Sequence, residues 1–170
     1  MTTLSPRMVF SVLFLGCAGL LGYGYYLQYV DGLHPCNLCI FERVCFAAVG
    51  LVSLIGLVHG SRGTVSRVYF ALTSIAALTG AAISARHVWI QHLPADEIPE
   101  CGPGLDFLMR AFPLQDVIQT VLKGSGDCAE ITWTFLGLSI PGWALVCFIG
   151  LVVISLAGVL GVFRGRESQV

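Results

Sequence analysis

The sequence predicts an all-α membrane protein, a four-helix transmembrane bundle with one long outer loop that carries a short interfacial helix. Three observations predict it. Hydrophobic residues fill 56% of the 170 positions and charged residues only 11%, against about 25% charged in a typical soluble domain. Four apolar runs are each long enough to cross hydrocarbon as a helix, which takes about 20 residues. The basic residues gather on one side of those runs. A chain of this length leaves room for a single integral membrane domain, 1–170.

The first run, 8–30, follows a lone Arg7 and has the outline of a signal peptide. It outlasts the cleaved kind, whose apolar core is about 7–15 residues, so it is expected to remain as the first span. The second span is expected over 40–58, the third over 68–90 and the fourth over 142–163. Hydrocarbon offers the backbone no hydrogen-bond partner, so each should be helical. Gly16, Gly19, Gly50, Gly80 and Ala81 are small enough to let helices approach closely.

Between the spans lie two short connections, 31–39 and 59–67, and one long polar loop, 91–141. Arg7, Arg62, Arg67, Arg164 and Arg166 fall on one side, opposed only by Glu167. The other side holds Asp31, Asp96, Glu97, Glu100, Asp106, Asp116, Asp127 and Glu130 against Arg110 and Lys123. Basic flanks of short loops stay cytoplasmic, which puts both termini inside and the loops 31–39 and 91–141 outside. Trp89, Trp133 and Trp143 sit near the outer ends of the spans, as an interfacial aromatic belt does. The net charge of −1 says nothing by itself about nucleic acid, and no such partner is expected.

Inside the long loop, LQDVIQTVL repeats apolar residues at helical spacing: Leu114, Val117, Ile118, Val121 and Leu122. Pro113 can open this helix and Gly124 can end it. It either lies on the membrane surface or packs on the protein's own outer face.

Seven cysteines are an odd number, so at least one is unpaired within a monomer. Cys17, Cys45 and Cys147 lie inside apolar runs and read as small core hydrophobes. Cys36, Cys39, Cys101 and Cys128 fall on the outer side. The first two form a CxxC at the expected start of the second helix. There they share a face, and the helix dipole favours a thiolate, the reactive form. A CxxC is also half of many zinc sites, but Cys101 and Cys128 are not a second close doublet. A redox centre, a zinc site and a pair of structural disulfides all remain open at this point; the spacing counts against zinc, so none of the site residues is assigned to a metal.

Arg43 helps to discriminate among them. Ionisable side chains within spans are costly and usually functional. Arg43 lies one turn deeper than Cys39 on the same helix face, where it can favour a thiolate or hold a ligand oxygen; the alternative is an arginine that snorkels or pairs with Glu42. Arg86 and His87, near the outer end of the third span, are expected at similar depth. With Arg43 they would make a polar pocket for an electron acceptor. His34, His59 and His92 read as loop or interface histidines.

Taken together, the four spans, PCNLCIFER at the mouth of the second, a cysteine early in the long loop, and SGDCAE followed by WTFLGLSIPGW resemble the disulfide bond formation protein B (DsbB) family. Members are inner-membrane partners of a periplasmic thiol oxidase. The related vitamin K epoxide reductase type usually carries its CxxC late in the chain, whereas here it precedes the second span. The resemblance implies a multi-pass protein of the bacterial inner membrane, with the long loop periplasmic and both termini cytoplasmic. It implies that Cys101 and Cys128 form a disulfide attacked at Cys101 by a DsbA-like thiol oxidase. Electrons then pass by exchange, through Cys128 and Cys36, to the Cys36–Cys39 pair. Cys39 delivers them to a quinone, ubiquinone or menaquinone, held with the help of Arg43 and His87. CGPGLDFL, 101–108, matches no family motif.

Overall fold

The computed structural model describes residues 5–60, 63–94, 96–98 and 104–163. Four long helices form the bundle: α1 (Pro6–Tyr29), α2 (Asn37–His59), α3 (Gly63–Ile90) and α6 (Ile140–Val159). Each is long and apolar enough to cross a membrane. Two short helices, α4 (Leu105–Ala111) and α5 (Leu114–Lys123), and a 3-10 turn (Gly126–Cys128) fill the long connection. A small hairpin follows, β1 (Thr134–Phe135) pairing antiparallel with β2 (Leu138–Ser139). Its two turn residues, Leu136 and Gly137, both have positive φ (50° and 81°), the requirement of a tight hairpin turn that matches strand twist.

The helix ends differ from the apolar runs for local reasons. Pro6 takes the first turn of α1, where its missing N–H costs nothing, and Ser5 caps the helix through Met8 N–H. α3 begins at Gly63, more than a turn before the expected start at 68, because the polar residues Thr64, Ser66 and Arg67 are helical although they are not apolar. Hydropathy marks the hydrocarbon, not the end of hydrogen bonding. α6 stops at Val159 rather than 163, where Gly161 at φ 80° and Val162 N–H bonding Ala157 O close the last turn.

Packing falls into three layers along the bundle. At one end Val9, Phe10, Leu13 and Phe70 are buried together, with Phe10 stacked on Phe70 at 4.3 Å between ring centroids. The middle layer holds Cys17, Phe46, Val49, Ala77 and Phe148, and Phe46 stacks on Phe148 at 3.9 Å. At the end that carries the long loop, Leu38, Ile83 and Ile90 of the bundle pack against Leu108, Val117, Val121 and Cys128 of the loop. Cys17 is buried in the middle layer and Cys45 and Cys147 pack against it, as core residues do.

Three of the small residues expected at helix contacts are there, Gly50, Gly80 and Ala81, the last packed against the middle layer. A Cβ on Gly80 would meet the Phe148 ring at 2.3 Å, and one on Gly50 would meet Cys17 at 3.3 Å. Gly16 and Gly19 are not: nothing lies within 4 Å of where their Cβ would be. Gly158, where a Cβ would lie 2.4 Å from the Phe70 ring, takes the role they were expected to fill.

α5 starts after Pro113 and ends at Gly124, as its sequence predicts. Its apolar stripe is split. Val117 and Val121 are buried against the bundle, whereas Leu114, Ile118 and Leu122 remain exposed. The inward half is therefore packed on the protein's own outer face. Gly124 is required where it stands: its φ is 86°, and a Cβ there would lie 2.3 Å from Ile90 Cδ1.

Candidate functional site

α2 opens with Cys36 at its N-cap, in extended conformation, and Cys39 in its first turn. The i, i+3 spacing brings the two sulfurs to 3.4 Å. The turn's N–H groups supply partial positive charge at the sulfurs. Glu42 is the next residue on that face, and it is buried. It does not pair with Arg43. Its Oε1 lies 3.0 Å from Nδ1 of His87, which is buried on α3, and His87 Nε2 lies 3.6 Å from Cys36 Sγ.

The long loop brings in Cys128. Val117 and Val121 seat α5 on the bundle end, and the 3-10 turn after it places Cys128 in the same buried cluster as Leu38 and Ile90. Cys128 is 1% exposed. Its sulfur, that of Cys36 and a ring nitrogen of His87 all lie within 4.8 Å of one another. The Cys36 thiol beside it, together with burial, holds the Cys128 thiol well above the ordinary range, while Ser125 acts in the opposite sense. Cys101, expected to pair with it, lies outside the described residues.

Arg43 is turned toward α1. It donates to Gly24 O at 3.0 Å and to Gln28 Oε1, and its guanidinium sits 5.0 Å from the centre of the Tyr25 ring. These contacts fix it on the wall of a cavity of about 850 Å³, which Cys36, Cys39, Glu42 and His87 also line. The remaining walls are mainly apolar and aromatic, among them Leu20, Tyr23, Phe46, Trp133 and Trp143, with Gln91, Asp127 and Glu130 adding polar groups. The hairpin steadies that side, since Trp143 Nε1 donates to Phe135 O at 3.0 Å.

Arg86 is not part of this pocket. It donates from Nε to Leu122 O at 3.3 Å and from its terminal nitrogen to Lys123 O at 3.2 Å, capping the last turn of α5. Adjacent helical positions point about 100° apart, so Arg86 and His87 cannot both face the thiols. Among the other histidines, His59 bonds Tyr69 Oη at 2.8 Å, His92 bonds Val88 O, and His34 is exposed at the cavity wall.

The sequence reading missed Glu42. Its signal was the i, i+3 spacing of Cys39 and Glu42, the same step that joins Cys36 to Cys39. It also missed Gln28 and Gly24, because an amide and a gap on α1 acquire meaning only beside Arg43.

Chemically, the site joins three thiols, a buried histidine–carboxylate pair and a mainly apolar cavity with one arginine. Cys36, His87 and Cys128 form one set of potential metal donors, and Cys39, Glu42 and His87 another. Among the described residues no four-donor set closes, as a structural zinc site requires. Fold and site together define a multi-pass membrane protein of the thiol–disulfide oxidoreductase class.

Comparison with known proteins narrows the class. The family model for disulfide bond formation protein DsbB matches residues 6–158. The chain is 47% identical to disulfide bond formation protein B of Marinobacter nauticus over 164 residues, 96% of this chain and 98% of that one. It is 50% identical to the Methylococcus capsulatus protein of the same name over 156 residues, covering 92% and 95%. With the Xanthomonas euvesicatoria protein, again of that name, identity is 48% over 168 residues, covering 98% and 95%. The chain belongs to the DsbB family of disulfide bond formation proteins.

Proposed function

We propose that this protein reoxidises a periplasmic, DsbA-like thiol oxidase and passes the electrons to a membrane quinone, from the inner membrane with both termini cytoplasmic. The observation that carries the reading is the continuity of the site: Cys128 beside Cys36, Cys36 3.4 Å from Cys39, and Cys39 on the wall of the cavity with Arg43.

The reduced oxidase attacks Cys101 of a Cys101–Cys128 disulfide. Cys128 is too buried for a soluble protein to reach, which favours Cys101 as the site attacked. The sulfur released on Cys128 attacks Cys36, and Cys39 leaves as a thiolate at the positive end of α2. Thiol exchange is reversible, so a strongly oxidising partner needs a stronger sink, the arrangement for which the DsbA–DsbB–quinone relay is itself the standing example. A quinone bound here would supply that sink.

The cavity fits such an acceptor. Its volume falls within the roughly 300–1,000 Å³ of small-molecule sites, and its surface is mainly apolar with a minority of polar groups. Two of the five Arg43 N–H donors are used on α1, which leaves others for a carbonyl oxygen. Leu20 and Leu21 carry the cavity toward the middle of α1, as an acceptor dissolved in the bilayer requires.

Turnover of a reduced DsbA-like oxidase by purified protein, without oxygen, with ubiquinone or menaquinone analogues, tests the reading. Stoichiometric oxidase reoxidation and quinone reduction are expected. Tightly bound zinc in the protein with no quinone reduction would replace it by a metal-binding role.

A further inference from the structure

We propose that Glu42 is a positioning residue that sets His87 to take the proton from the Cys36 thiol. The two groups sit on different helices, Glu42 on α2 and His87 on α3, and both are buried. Both ring nitrogens of His87 are engaged within the protein: Nδ1 by Glu42 Oε1 at 3.0 Å and Nε2 by Cys36 Sγ at 3.6 Å. A carboxylate accepts only. Nδ1 therefore carries a hydrogen toward Glu42, and in the neutral ring Nε2 is left to accept from the thiol. This is the nucleophile, base and orienting group relation that activates cysteine and serine nucleophiles on unrelated folds.

The step is a proton transfer. The Cys36 S–H bond breaks, the proton goes to Nε2, and the electron pair stays on sulfur. The products are a thiolate and an imidazolium, the latter facing the Glu42 carboxylate. No electrons leave the site. The reverse transfer returns the proton when Cys36 is released as a thiolate. A buried carboxylate with no cation beside it would be costly, and among the described residues the cation it meets is the imidazolium formed in this step. Arg43 is turned toward α1 and Arg86 toward the end of α5.

The other titratable groups facing His87 are thiols: Cys36 and Cys39 from α2 and Cys128 from the loop. A reporter protein must remove the last two. The inference rests on the proposed function only for its use in turnover; the proton transfer itself needs neither oxidase nor quinone.

The test is alkylation of Cys36 by iodoacetamide in detergent-solubilised Cys39→Ser/Cys101→Ser/Cys128→Ser protein, read by mass spectrometry across pH, with and without Glu42→Gln. Glutamine keeps the shape and loses the charge. Glu42→Gln should slow Cys36 alkylation at neutral pH by about tenfold or more and displace the rate profile to higher pH, since one pH unit of displacement is tenfold in thiolate. Protection of Cys17 from the reagent reports that the bundle is folded. Glu42→Asp, which keeps the charge, should restore part of the rate, and it carries the test alone if the glutamine variant exposes Cys17. An unchanged rate and profile in a folded Glu42→Gln protein, or equal slowing by aspartate and glutamine, overturns the proposal.

Discussion

Cys128 lies against Cys36, held there by a loop helix whose buried valines pack on the ends of α2 and α3. The contact joins a cysteine of the long loop to the mouth of a membrane span. In Cys128→Ser protein the Cys101 thiol attacks the disulfide of the oxidised oxidase, and the mixed disulfide so formed should persist, because the internal thiol that would displace the oxidase is gone. Non-reducing electrophoresis reads the trapped complex, and its absence would refute the assigned order of exchange. Cys39→Ser should abolish quinone reduction and leave that trapping intact.

The Cys128 thiol is held up first by the Cys36 thiol and then by burial. A raised thiol is mostly protonated at neutral pH, and its thiolate fraction grows with pH. Alkylation of Cys128 in reduced Cys101→Ser protein should therefore accelerate by about tenfold per unit between roughly pH 7 and 9. Cys36→Ala removes the first cause and should raise the rate at fixed pH. A rate independent of pH would show that access, not ionisation, limits the reaction.

Arg43 is fixed by Gly24 O, Gln28 and Tyr25 on α1. Arg43→Ala should raise the Michaelis constant for quinone by about tenfold, the loss of one charge-assisted hydrogen bond, with oxidase binding unchanged. Gln28→Ala should give a smaller shift in the same direction by loosening the guanidinium. Steady-state kinetics with each substrate varied in turn separates the two effects. An unaltered constant for quinone in Arg43→Ala assigns the residue to helix packing alone.

Charging the buried face of α5 should unseat Cys128. Val117→Asp or Val121→Asp places a carboxylate among Ile90, Leu108 and Cys128, whereas Ile118→Asp changes an exposed position. The first two should lose most turnover and make Cys128 reactive to bulky reagents; the third should keep Cys128 protected. Equal reactivity in all three would mean that α5 does not seat the cysteine.

Helix contact can be tested with two glycines of the same type. Gly80→Ala puts a methyl 2.3 Å from the Phe148 ring, while Gly16→Ala meets nothing within 4 Å. The first should cost about 1–3 kcal/mol of overpacking, seen as a lower unfolding temperature in detergent. The second should leave it unchanged or slightly higher, since alanine is the better helix former.

The four spans are legible in the chain alone, because a bilayer demands about 20 apolar residues per crossing and the chain supplies four such runs. The CxxC at a helix start and the bounds of α5 were equally legible, being local matters of spacing, proline and glycine. Local pattern also put Arg43 in the second span. What it touches, and which way Arg86 faces, belong to the tertiary structure. So do the pairing of Glu42 with His87 rather than Arg43, the burial of Cys128 beside Cys36, and the choice of Gly158 over Gly16 for a helix contact. Each depends on which faces of separate helices meet. That is set by the close packing of Phe10 on Phe70 and Phe46 on Phe148 along the bundle and by the two valines that dock the loop, contacts between residues far apart in the chain.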